Sequence, residues 1–194
     1  MEQQEFEVFH GTSLDAYTSI SQDNFKLSEG VEHEAWLGDG VYFFTNGVPP
    51  QPEILAKKWA IAEAWDKSRK CYKYTEYCII KALVTVDKSL FLDLSSHDGL
   101  VVFNYLREKY IEKLREEHKK LKNGEFKDGH IINLAVKESF IKVKVVKGNF
   151  YIKFAEERIH NAQFRTPNCT IVAVRNVDCI NKESITLHDK NTIR

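Results

Sequence analysis

The hydrophobic positions of this chain change period several times, and each change marks an element. Tyr77 to Val86 (YCIIKALVTV) is an almost unbroken apolar, β-branched run, which predicts a buried strand. CTIVAVRN at 169–176 reads the same way, and Val41 to Phe44 is a shorter aromatic strand introduced by Gly38 and Gly40. Phe6 to Phe9 predicts a short strand that ends in a turn at His10-Gly11-Thr12. SLFLDL at 89–94 predicts a strand pairing next to 77–86. Ile141 to Val146 and Asn149 to Phe154 are strand-like, and the charged tail after Cys179 is either an edge strand or fray.

Elsewhere the spacing becomes helical. Leu14, Ala16, Tyr17 and Ile20 recur at turn intervals, with Ser13 and Asp15 suited to an N-terminal cap. GVPPQP at 47–52 excludes regular structure, and a helix over Glu53–Lys67 follows it. Ile54, Lys58, Ile61, Ala62 and Trp65 share one side of that helix, and Trp59 sits on a neighbouring one. Residues 101–124 form a long amphipathic helix broken by Gly124 and Gly129, after which HIINLAVKESF reads as a second helix. Short strands with helices in two blocks give an α+β fold in a single domain, 1–194. The helical pair within 97–140 is either an insertion carrying specificity or part of the core.

Composition narrows the classes. Apolar residues make up 43% of the 194 and charged residues 29%, an ordinary globular balance. Twenty-eight Lys and Arg offset 28 Asp and Glu, so no global field draws the chain to nucleic acid or membrane, while a local basic patch stays open. No apolar run approaches the roughly 20 residues that span a bilayer, and the acidic start MEQQEFEVF is unlike a signal peptide. Cys71, Cys78, Cys169 and Cys179 lack metal-site spacing, which suggests free thiols in a cytoplasmic protein.

Two segments carry chemistry in combination: FHGTS at 9–13 and GDGVYFF at 38–44, separated by a helix. In that order they resemble the PARP-type ADP-ribosyltransferases, which place a histidine in an HG(S/T) element, then G-x-G-(I/V)-Y-F, then a third residue on a late strand. The runs WLGDGVYFF and V-R-N-x-x-C-I at 174–180 are similar to a group of bacterial proteins assigned to that superfamily. The similarity covers 6–65 and 164–180 and leaves 97–150 without counterpart.

The resemblance implies a split β-sheet core flanked by helices, with NAD as substrate. It implies that His10 bonds the adenosine-side ribose, Gly11 grips the nicotinamide carboxamide and Thr12 bonds the nicotinamide ribose. Gly40, Tyr42 and Phe43 belong to the second element, with Tyr42 stacked on the ring and Trp59 as a second aromatic wall. The same chemistry follows from the bond to be broken. An oxocarbenium-like ribose needs an aromatic face on the leaving ring, a close backbone and hydrogen bonds that fix the ribose and diphosphate.

The third position falls on Ile171, where the family often has glutamate or glutamine. Gln163 reaches the site if the late strand begins earlier, and Glu157 if AEERI is strand. An H-Y-I set favours single transfer of ADP-ribose to a macromolecular acceptor, with protein slightly preferred over nucleic acid. By analogy such a chain is a toxin or phage-defence effector with a possible antitoxin partner. Two rivals stay open: a non-catalytic NAD or ADP-ribose binding module, and an enzyme like the RNA 2′-phosphotransferases.

Overall fold

Strand β5, Glu76–Asp87, realises the strongest apolar run of the sequence, and the sheet is organised around it. In the computed structural model, which describes residues 2–27, 36–48, 51–117 and 127–193, β1 (Gln3–Ser13) pairs with it antiparallel along its whole length. After α1 (Leu14–Asp23) comes β2 (Val41–Thr45), then α2 (Pro52–Ala64), then a two-stranded ribbon of β3 (Trp65–Asp66) and β4 (Cys71–Tyr72). Beyond β5 follow β6 (Phe91–Asp93), α3 (His97–Glu116), α4 (Asp128–Lys137), β7 (Val145–Phe150), α5 (Ala155–Ile159), β8 (Cys169–Val174) and β9 (Thr186–Thr192). The main sheet runs β6-β7-β8-β2-β1-β5-β9, so the class is α+β.

Alternation along the strands divides the core in two. One face carries Phe9, Phe44, Ile79, Ile171 and Ala173 and is covered by Leu55, Ala56 and Ala60 of α2, Phe103 and Leu106 of α3, and Ile131, Ile132 and Ala135 of α4. The other carries Val8, Phe43, Cys78, Ile80, Val172 and Val174 and packs against Phe25, Cys179 and Ile180, with Leu14, Tyr17 and Ile20 of α1 at its border. Phe6 of β1 meets Phe91 of β6 at 5.1 Å although three strands lie between them in the sheet, so the sheet is strongly curved.

Several expectations are corrected. His10-Gly11-Thr12 is not a turn: all three continue β1, opposite Ile80, Ile79 and Cys78. The glycine is needed because α2 lies directly on it, and a Cβ there would stand 1.9 Å from the Ala56 carbonyl oxygen. Ser13 caps α1 as expected, its Oγ accepting from the Ala16 amide at 3.3 Å. Pro52 opens α2, which ends at Ala64 rather than Lys67. There the Asp66 carboxylate takes up the Ser68 and Arg69 amides and turns the chain back as a ribbon.

The segment 89–94 does not pair beside β5. Only Phe91–Asp93 is strand, and it lies parallel to β7 at the far edge of the sheet. A parallel pair needs a crossover, and α3 with α4 provides it. These helices therefore join two neighbouring strands and bury core residues; they are not an appendage. Gly129 sits inside the first turn of α4 instead of breaking the helix before it, and Gly124 lies outside the described residues. The two strands expected over 141–154 are one. The Asn168 side chain bonds both the amide and the carbonyl of Ile152 at 2.8 Å, and so satisfies that backbone away from the sheet. The charged tail becomes β9, an edge strand on β5. No helix among the described residues is long and apolar enough to cross a membrane.

Because α2 occupies the space above Gly11, Gly11→Ala should force the helix off the sheet at a cost of about 3 kcal/mol. For a chain of this size that lowers the melting temperature by roughly 10 °C. Calorimetry that finds the variant within about 1 °C of wild type would contradict the close approach.

Candidate functional site

The centre of the sheet is its weakest seam. β1 and β2 pair at only two positions, Val8 with Thr45 and Phe9 with Phe44, although β1 runs on to Ser13. Past Phe9 the ladder gives way to a side chain: His10 Nδ1 lies 2.8 Å from the Tyr42 carbonyl oxygen. A carbonyl can only accept, so Nδ1 carries the proton, and Nε2 of the neutral ring is left as an acceptor. Nε2 has no hydrogen-bond partner among the described residues. Burial holds the imidazole pKa below its ordinary 6.5, against a smaller upward pull from the Tyr42 carbonyl. The ring is therefore neutral at pH 7. It meets Phe25 and Phe43 edge-on at 5.3 and 5.6 Å.

Tyr42 leaves the sheet on the other face. The pairing of Phe9 with Phe44 places Gly11 and Tyr42 together on the α2 side, and His10 and Phe43 together on the α1 side. The two predicted residues are thus joined across the seam, through backbone and imidazole, but their rings do not face one another. The Tyr42 hydroxyl donates to the Gly38 carbonyl at 2.6 Å and accepts from the Leu37 amide at 2.9 Å. With burial dominant, its pKa is pushed up to about 12. This phenol is a clamp on the 37–38 turn and offers no titration near neutrality.

That turn is fixed from two more directions. Gly38 has φ of 82°, and a Cβ on it would stand 2.5 Å from Asn133 Oδ1 and 2.6 Å from an Arg175 nitrogen. Asn133 of α4 accepts from the Asp39 amide and donates to the Asp39 carboxylate, each at 2.9 Å. Arg175 donates to Asn133 Oδ1 at 2.7 Å and to the Asp39 carbonyl at 3.1 Å. The GDG and VRN segments are one physical unit. Asn133 was missed by sequence reasoning because a lone asparagine in an amphipathic helix gives no signal.

A cavity of about 500 Å³ opens beside the seam on the α1 side, lined by His10, Ser19, Asn24, Lys26, Gly40 and Tyr42 among others. Lys26 is the only lysine or arginine before Lys57. Phe43 is fully buried and Thr12 half-buried on β1. On the opposite face Trp59 meets Trp36 edge-on at 6.2 Å, and Trp36 stacks on Phe150 at 5.7 Å and 20°. Trp59 thus joins an aromatic group that sequence reading did not assemble, although Trp36 stands immediately before the glycine-framed turn.

The third position holds no reactive group. Ile171 lies opposite Phe44 in β8 and is 2% exposed. Gln163 and Glu157 fail their conditions: β8 begins at Cys169, which leaves Gln163 in an exposed connection, and Glu157 belongs to helix α5.

Since the folded chain holds His10 neutral, the unfolded chain takes up that proton first as pH falls. His10 contributes its stability fully above about pH 6.5 and loses it below. Denaturant titrations of wild type and His10→Asn at about pH 7 and about pH 5 should show a smaller pH dependence in the variant; identical dependence would contradict the buried neutral ring.

No family model matches the chain. Over 132 residues it is 29% identical to the uncharacterized protein MJ0359 of Methanocaldococcus jannaschii. That match takes in 67% of this chain and 56% of its relative, so the chain spans little more than half of that protein's length.

Proposed function

We propose that the chain is a mono-ADP-ribosyltransferase with NAD as substrate, as the resemblance of FHGTS and GDGVYFF implies. The observation that carries this reading is the opened seam, with an unpartnered imidazole acceptor and a cavity beside it. The resemblance implies a split core; β1 and β2, which bear the two motifs, stay in one continuous sheet and share only two residue pairs, which supports the reading only to that extent. A dinucleotide in the cavity beside the seam would meet His10, Lys26 and the Gly40–Tyr42 strand end, whereas α2 fills the face that Gly11 presents.

The chemistry asks mostly for positioning. The bond from ribose C1 to the pyridinium nitrogen breaks, and its electron pair leaves with nicotinamide. An acceptor oxygen or nitrogen then bonds to C1 and gives up its proton. Nε2 of His10 is suited to accept from a ribose hydroxyl, and Lys26 supplies a cation for the diphosphate. Ile171 cannot take the proton, so it passes to water or to a group on the acceptor, which favours one transfer over chain growth. A toxin or phage-defence role, with an antitoxin partner and a cytoplasmic location, rests on the family analogy alone.

Ile171 also favours a second reading, a module that binds NAD or ADP-ribose without cleaving it. Heat of binding with no nicotinamide released over hours would select that reading.

With NAD labelled in its adenylate half, the protein should release nicotinamide and leave label on a macromolecule. His10→Ala should slow nicotinamide release on the order of 100-fold through lost positioning, and release at the wild-type rate would overturn the assignment. Tyr42→Phe keeps the ring but removes the clamp, so its main effect should be a loss of about 1–2 kcal/mol of stability, seen as a melting temperature a few degrees lower. An unchanged melting temperature would refute the clamp.

A further inference from the structure

The neutral total hides a segregation of charge along the chain. Residues 1–56 hold ten Asp and Glu against one lysine, whereas 57–73 hold six Lys and Arg against Glu63 and Asp66. The basic stretch ends in the β3–β4 ribbon, where its exposed cations are Lys67, Arg69, Lys70 and Lys73. Lys67, Arg69 and Lys70 lie in the turn between Trp65 and Tyr72, a cross-strand pair 43% and 44% exposed. Their rings meet edge-on, 5.2 Å apart at 76°, so ring face remains open to solvent.

The two acids of this stretch are already engaged. One Asp66 oxygen accepts from the Ser68 amide at 2.9 Å, the Ser68 hydroxyl at 2.6 Å and the Arg69 amide at 3.0 Å, which builds the ribbon tip. Glu63 lies 3.8 Å from Arg158 of α5. That pair brings the exposed Arg158 of α5 to the end of α2, next to the start of the ribbon. Arg69 also lies 3.8 Å from the second Asp66 oxygen, which leaves a surplus of exposed cations beside two partly exposed aromatic rings, an arrangement that contributes little to a core.

We propose that this ribbon is a docking surface for single-stranded nucleic acid, with phosphates on Lys67, Arg69, Lys70 and Lys73 and unpaired bases stacked on Trp65 and Tyr72. Charge complementarity supplies attraction to the phosphate backbone, and the aromatic pair supplies contacts that a duplex, whose base faces are covered, cannot match. An acidic protein would satisfy the cations but leave the ring faces without a matched partner. The inference goes beyond NAD chemistry and stands or falls without it.

The test is fluorescence anisotropy with a labelled single-stranded RNA or DNA of about 20 nucleotides, with no NAD present. The logarithm of the association constant should fall with the logarithm of salt concentration with a slope of about −3, as four phosphate contacts on a single strand require. Lys67→Glu with Arg69→Glu and Lys70→Glu should weaken binding at least roughly 100-fold and flatten the slope. Trp65→Ala with Tyr72→Ala should cost roughly tenfold or more while leaving the slope unchanged. All these side chains are exposed, so circular dichroism should match wild type. As a second readout, Cys71, the exposed one of four cysteines, should alkylate several-fold more slowly when the oligonucleotide is bound. Absent binding at low salt, duplex or poly-glutamate binding as tight as single strand, or undiminished binding by the charge-reversed variant would each overturn the proposal.

Discussion

The fold turns on a hydrogen bond from a side chain that stands where a backbone ladder would otherwise run. Two central strands, β1 and β2, share only two residue pairs before the His10 imidazole takes over and ties β1 to the Tyr42 carbonyl. An imidazole bridging a seam holds the strands in register without closing the gap between them. It also fixes its own tautomer, because a carbonyl accepts and never donates. The seam is therefore both the least paired part of the sheet and the place where a polar acceptor remains open beside a cavity.

Everything adjacent to that seam is over-determined. Gly11 admits α2 against one face, since any side chain there would collide with a helix carbonyl. The turn before β2 is held by Tyr42 from within, by Asn133 from α4 and by Arg175 from the end of β8. Buried polar contacts of this kind stabilise only when every member is satisfied, and here donors and acceptors match around a left-handed glycine. The helical crossover between β6 and β7 thus has two duties: it closes the parallel connection, and it delivers the asparagine that shapes the turn.

Strands that bury both faces were legible, because an apolar run with β-branched residues has few other uses; β5, β8 and β2 fall within a few residues of their expected places. Partners were not legible. Phe91–Asp93 crosses to β7, which no local pattern encodes, and the long reach of β1 depends on its pairing with β5 and not on its own sequence. Tertiary side-chain bonds decided the rest: Asn168 withdraws Ile152 from the sheet, and Asp66 ends a helix whose periodicity continues past it. The pattern of glycines and aromatics fell on β1 and β2, the strands that meet at the seam. It gave no warning that β-alternation would send His10 and Tyr42 to opposite faces, nor that Ile171 would be buried in the core.

The open acceptor of His10 and the cavity beside it are the features on which the proposed NAD site rests. The most direct measurement is a crystal structure of the chain grown with saturating NAD. The expected result is a dinucleotide in the cavity beside the β1–β2 seam, with a ribose hydroxyl on His10 Nε2 and the diphosphate near Lys26. NAD bound on another surface, or a cavity that stays empty at saturation, would contradict it.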